Sequence, residues 1–342
     1  MRWLWHLMDW MAIQYAAAEM PDANGVDPHL EEASKLVNDP AFLGREIPPT
    51  RVHFAEDGVF HFASPLPCPF PECNRVYGRI YTEGDWRGKP AVVLVHGWND
   101  KPNHFWRFPI LARRLAQAGM TAATLELPYH FQRRPRARLG AASNFLSADI
   151  LRTAQAAAQS VAEIQALACW LAEEGHARVG LLGVSMGGWL GGLAACHDPQ
   201  IQALALLAPV IRLDRMIEEA AFCQSIKEAL RGQALDFGRL NLLRSRPLAA
   251  RENVLLIQAR HDLFVPPETV DELRAAWGGP EMWTLGMGHI SIVGAPGLTP
   301  RLTSWFSAKL AAVAPGAKHT DFAPGKSATA GAPPSPSRHG LS

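Results

Sequence analysis

From residue 91 onward, runs of consecutive apolar residues alternate with longer stretches in which apolar residues recur every three or four positions. An unbroken apolar run suits a strand buried on both faces, whereas the three-and-four spacing lines up one side of a helix. Strands are therefore expected over 91–96, 121–127, 178–184, 202–207, 253–259 and 281–285, and helices over 104–119, 146–175, 186–196, 267–277 and 299–313. Such alternation predicts an α/β protein with a mostly parallel sheet and crossover helices on both faces. Upstream, 59–62 and 75–82 flank the proline-rich SPLPCPFPEC and read as an antiparallel pair, bringing the expected sheet to about eight strands.

Within the longest helix, Ile150, Ala154, Ala157, Val161, Ile164, Ala168 and Leu171 form one apolar stripe, and the small alanines favour close packing on a sheet. Between 214 and 246 the alternation is interrupted by mixed helical sequence, which predicts a small helical cap inserted around 210–250. The resulting organisation is a helical extension over 1–54, a catalytic-sized domain over 55–313 and a tail over 314–342. That tail is rich in Pro, Gly, Ser and Ala, so little burial is available to offset its ordering entropy, and disorder is expected.

The opening MRWLWHLMDWMAIQYAAAEM is apolar enough to suggest a secretory signal, but His6, Asp9 and Gln14 interrupt it. It reads instead as an amphipathic helix that docks on the domain or touches a membrane surface. In 342 residues the formal charge is only +1, so no global field favours a nucleic-acid partner. The five cysteines are an odd number and are expected to be reduced, in a cytoplasmic protein; a local Cys68–Cys73 disulfide would require export. No metal or other cofactor is expected, because Cys68 and Cys73 lack a second ligand pair nearby.

Candidate chemistry begins at Gly183-Val184-Ser185-Met186-Gly187-Gly188, which follows an apolar run and precedes a helix-like segment. A serine on so sharp a strand-to-helix turn is presented as a nucleophile, with small neighbours admitting the close backbone approach. A hydroxyl needs a base, and the base an orienting acid. Asp262 follows the apolar run 253–259 and His289 follows 281–285 in Gly286-Met287-Gly288-His289, so serine, aspartate and histidine occur in the order this strand-end geometry requires. His261 is too close to Asp262 in sequence to reach round to the serine as well, and Glu268 and Asp271 fall in the next helix. The run 91–96 leads into His96-Gly97-Trp98-Asn99-Asp100, so the N–H groups of Met186 and Trp98 are the expected oxyanion donors, with Asn99 the alternative to Trp98.

With these residues in place, the chain resembles the α/β-hydrolase superfamily over about 55–312. More narrowly it resembles the α/β-hydrolase domain-containing protein 18 family, through Gly58-Val59-Phe60-His61-Phe62-Ala63-Ser64-Pro65, His104-Phe105-Trp106-Arg107, Leu125-Glu126-Leu127-Pro128-Tyr129 and the serine turn. The resemblance implies an α/β-hydrolase fold and hydrolysis of a lipid or other ester. Arg260-His261 and Trp98-Asn99 stand where small residues are expected in such proteins.

The expected activity is a serine hydrolase cleaving a small-molecule or lipid ester through an acyl-enzyme; transfer to an alcohol and a non-catalytic binding role are the alternatives. Arg133, Arg134 and Arg136 follow a strand end, where ligands of open α/β sheets bind, and are candidate contacts for an anionic ester. Peripheral membrane contact is expected only through the N-terminal helix, and the sequence leaves the oligomeric state open.

Overall fold

In the computed structural model, residues 2–311 are described apart from 21, 22, 24, 25, 137–144 and 235. The expected tail at 314–342 lies outside the described residues. Nine strands form one sheet: β1 (His53–Phe54), β2 (Val59–Ala63), β3 (Arg75–Tyr81), β4 (Ala91–Val95), β5 (Thr121–Leu125), β6 (Val179–Val184), β7 (Ile201–Leu207), β8 (Val254–Ala259) and β9 (Glu281–Leu285). Their order is β1-β2-β3-β5-β4-β6-β7-β8-β9. The β1/β2, β2/β3 and β3/β5 pairs are antiparallel and the remainder parallel. The strand beyond the expected eight is β1, whose two exposed residues carry no apolar run to announce it.

Nine α-helices accompany the sheet among the described residues: α1 (Arg2–Glu19), α2 (Leu30–Asn38), α3 (Phe108–Gln117), α4 (Ile150–Glu173), α5 (Met186–Ala195), α6 (Leu213–Glu219), α7 (Gln224–Ala229), α8 (Pro267–Ala276) and α9 (Leu298–Leu310). Successive strand residues point to opposite faces. Val93 and Val95 accordingly join the core shared with α2, α4, α5 and α8, while Val92 and Leu94 join the one shared with α3 and α9. Burial from both sides explains why β4, β5, β6 and β8 are buried without alternation and are mainly apolar, with Thr121, Thr124 and Gln258 the polar exceptions.

Two expectations change in detail. The helix expected over 104–119 opens as a π-helical turn, Asn103–Arg107, before α3 begins. The stripe on α4 is buried as expected, but so are Gln159, Ser160, Glu163 and Gln165 from other sides of the helix. A buried polar cluster accounts for two of these: Gln159 Nε2 donates to the Cys73 carbonyl at 2.9 Å, and Glu163 pairs with Arg133. Asp149 starts the helix by accepting the Arg152 N–H at 3.0 Å. Between β7 and β8, α6 and α7 occupy the region expected to form the cap.

Candidate active site

Ser185 sits between β6 and α5 at φ 54° and ψ −118°, a conformation that costs energy for any side chain and is held only by its surroundings. Those surroundings leave no room at the flanking glycines. A Cβ at Gly187 would run into the carbonyls of Val95 and His96, and one at Gly183 into the backbone of Gly187 and Gly188. The turn is closed by Gly188 N–H donating to Ser185 O at 2.9 Å and by Ser185 N–H donating to Leu207 O at 2.9 Å.

Asp262 and His289 converge on this serine from the ends of β8 and β9. Ser185 Oγ–H donates to His289 Nε2 at 2.8 Å, and His289 Nδ1–H donates to Asp262 Oδ2 at 2.7 Å. Asp262 Oδ1 accepts the N–H groups of Phe264 and Val265, each at 2.8 Å, so the carboxylate cannot swing away without stranding two donors. Phe264 stacks on the imidazole at 4.8 Å. Burial disfavours the His289 imidazolium, but Asp262, Asp9 and Asp100 more than offset this and raise its pKa.

The loop after β4 is set by His96, which is fully buried and held neutral, its pKa lowered first by burial and then by neighbouring His104 and His130. Its Nδ1–H donates to Gly97 O at 2.7 Å while Nε2 accepts the Leu127 N–H at 3.0 Å, tying this loop to the end of β5. The loop lies against Ser185: a Cβ at Gly97 would stand 3.2 Å from Ser185 Cβ. Asn99 has φ 48°, and the Trp98 ring stacks on Phe222 at 5.8 Å. Among the described residues, no protein acceptor meets the N–H of Met186 or of Trp98.

Ser185, Met186, Trp98 and His289 line a cavity of about 310 Å³. Its apolar wall draws Ala12, Tyr15 and Ala16 from α1, Leu213 and Met216 from α6, Phe222 from a short 3-10 turn and Phe264 from the loop after β8. Charged groups also line it: Asp100, whose carboxyl burial pushes above the ordinary range, and Arg107.

None of the three arginines expected at the cavity mouth is among the residues that line the cavity. Arg133 has no exposed surface, donates to both carboxylate oxygens of Glu163 at 2.6 and 2.7 Å, and donates to the carbonyls of Glu126 and Cys73. The strand after which it falls does end on the ligand side, but the chain turns inward and the guanidinium is consumed by a buried partner. Arg134 lies 3.5 Å from Asn99 Oδ1 and Arg136 is exposed beside Glu72; neither lines the cavity.

The sequence reading missed Asp9, Asp100 and the contribution of α1 to the cavity. In the sequence Asp9 reads only as a polar break in an apolar helix, and that break is the available signal. No group of three or more His, Cys, Asp or Glu among the described residues is arranged to hold a metal ion.

The sheet order, the crossover helices and the serine turn together define an α/β-hydrolase fold. Residues 51–229 match the family described as Alpha/beta hydrolase domain containing 18, and the chain belongs to it. Solved structures agree on the fold. Acetyl xylan esterase 1 from Thermoanaerobacterium sp. JW/SL YS485 superposes with a TM-score of 0.56 at 14% identity, covering 87% of this chain and 98% of that one. Acetyl xylan esterase from Paenibacillus sp. R4 gives 0.55 at 16% identity, covering 86% and 99%.

Proposed function

We propose that the protein is a serine hydrolase that cleaves a carboxylic ester through an acyl-enzyme. The observation that carries this reading is the relay from Asp262 through His289 to Ser185, in steps of 2.7 and 2.8 Å, opening on an apolar cavity. Ser185 Oγ bonds to the ester carbonyl carbon as its proton passes to His289 Nε2. The N–H groups of Met186 and Trp98 hold the resulting oxyanion, and its collapse expels the alcohol, which takes the proton from His289. Water then attacks the acyl carbonyl, giving its proton to His289, and the acid leaves as that proton returns to Ser185.

The apolar lining favours an apolar acyl group, and the volume is at the small end of ligand cavities (~300–1,000 Å³), favouring a short or medium chain. Arg107, at the same cavity, is the cation suited to an anionic group on a lipid ester. Trp3, Leu7, Trp10 and Met11 are exposed on α1, which also carries cavity-lining residues, and this exposed face suits peripheral contact with a lipid surface. No helix among the described residues is long and apolar enough to cross a membrane.

The test is a fluorophosphonate probe followed by an ester panel of graded acyl length. Labelling of the wild type that is lost in Ser185→Ala, with turnover peaking at short or medium acyl chains, is the expected result. A folded wild type that neither labels nor turns over any ester overturns the reading.

A further inference from the structure

Asp9 lies on α1, outside the sheet, yet has no exposed surface. Its carboxylate reaches both loops that carry the base and the acid. Oδ2 accepts the N–H of His289 at 2.7 Å and of Leu263 at 3.2 Å, and Oδ1 accepts the N–H of Ile290 at 3.0 Å. Leu263 directly follows Asp262, and Ile290 directly follows His289. The same two loops are joined by the His261 N–H donating to Met287 O at 2.9 Å. The fit is close: a Cβ at Gly288 would stand 2.7–2.9 Å from the carboxylate atoms of Asp9. A carboxylate taken out of water is costly unless donors compensate it, and here three backbone groups offset part of that cost, burial still holding the Asp9 carboxyl above its ordinary range. Asp9 shares the buried side of α1 with Ile13 and Ala16, whose apolar contacts also seat the helix.

We propose that Asp9 is a positioning residue for the triad: its carboxylate clamps the Asp262 and His289 loops together so that His289 Nε2 stays aimed at Ser185 Oγ. The proposal rests on the catalytic reading of Ser185 given above. Two properties follow. First, Asp9 contributes negative charge beside His289, whose other facing ionisable groups are Asp262 and Asp100, and these carboxylates together favour the imidazolium. Second, α1 also walls the cavity through Ala12, Tyr15 and Ala16, so one helix supplies both a substrate-facing wall and the clamp on the base.

The experiment measures the rate of fluorophosphonate labelling against pH for the full chain. Asp9→Asn keeps the shape but removes the charge, and its amide nitrogen turns donors toward a site that already supplies three. Labelling is expected to slow by about 10²-fold, the scale of a roughly 1 Å misplacement. Its acid-side midpoint is expected to move to lower pH, because His289 loses a neighbouring negative charge. Ile13→Ala loosens the same helix without touching the carboxylate and is expected to keep the wild-type midpoint.

Wild-type rate and midpoint in Asp9→Asn, or reproduction of both changes by Ile13→Ala, overturns the proposal. A wild type that does not label overturns the catalytic reading instead, and this proposal with it. Should Asp9→Asn fail to match the wild-type circular dichroism, Gly288→Ala decides. Its methyl displaces the carboxylate, so labelling slows, and adding Asp9→Ala relieves the clash, leaving the double variant no slower than Gly288→Ala. Additive losses overturn the proposal.

Discussion

Arg133 and Glu163 form a two-pronged ion pair, at 2.6 and 2.7 Å, in which neither side chain has any exposed surface. The pair joins the loop after β5 to α4, and the other N–H groups of the two Nη atoms go to the carbonyls of Glu126 and Cys73, while the buried Nε–H meets no partner among the described residues. An arginine fully buried in this way and absent from the cavity lining does not meet a substrate there.

Removing one partner leaves the other charge buried and unpaired. Arg133→Ala is expected to lose about 3–5 kcal/mol of stability, measured as a shift in denaturant midpoint at constant slope. KM for anionic and neutral esters should change in parallel. A selective rise for anionic esters, in a variant of wild-type stability, would return Arg133 to a substrate-contacting role.

The activity should depend on pH through His289, which must be neutral to accept the Ser185 proton. Asp262, Asp9 and Asp100 outweigh burial and raise its pKa, so the histidine stays protonated to a higher pH than an ordinary one. Activity is therefore lost as pH falls through this raised value, and the acid limb of kcat/KM should lie above the ordinary histidine midpoint. An acid limb below that midpoint contradicts the assignment.

Asp262→Asn separates the structural duty of one carboxylate from its proposed catalytic one. Its Oδ1 can still accept the N–H groups of Phe264 and Val265, but the amide nitrogen then faces His289 Nδ1 and imposes the wrong tautomer. Such a change is expected to lower kcat by about 10⁴-fold while stability changes little. The comparison needs kcat and thermal unfolding on the same preparation; a kcat within tenfold of wild type would remove Asp262 from the relay.

Gly187→Ala tests the turn itself. The added methyl meets the carbonyls of Val95 and His96, rigid backbone at the centre of the sheet. A loss of about 1–3 kcal/mol is expected from overpacking, with labelling of Ser185 falling further than stability alone accounts for. Unchanged labelling in a stable variant would show that the elbow can relax.

The sheet was legible because its signal is local. Parallel strands covered on both faces are mainly apolar along their length, so β4 through β8 announce themselves in short windows, whereas β1, two exposed residues on the edge, leaves no such trace. Ser185, Asp262 and His289 could be read for a related reason: each follows a strand, and the fold's connection order dictates which strand ends meet. The same logic failed for Arg133, since position after a strand end does not fix which way a long side chain turns.

What the sequence determined by itself was the α/β layering, the serine turn and the order of three candidate catalytic residues, all set by periodicities and glycines within a few residues of each other. Only the tertiary structure decided that Arg133 is spent on Glu163, that α1 walls the cavity, and that Asp9 reaches the backbone of His289 across 280 positions of chain. Those outcomes depend on which distant groups compete for a buried charge once the helices have packed, and no local pattern in the sequence carries that information.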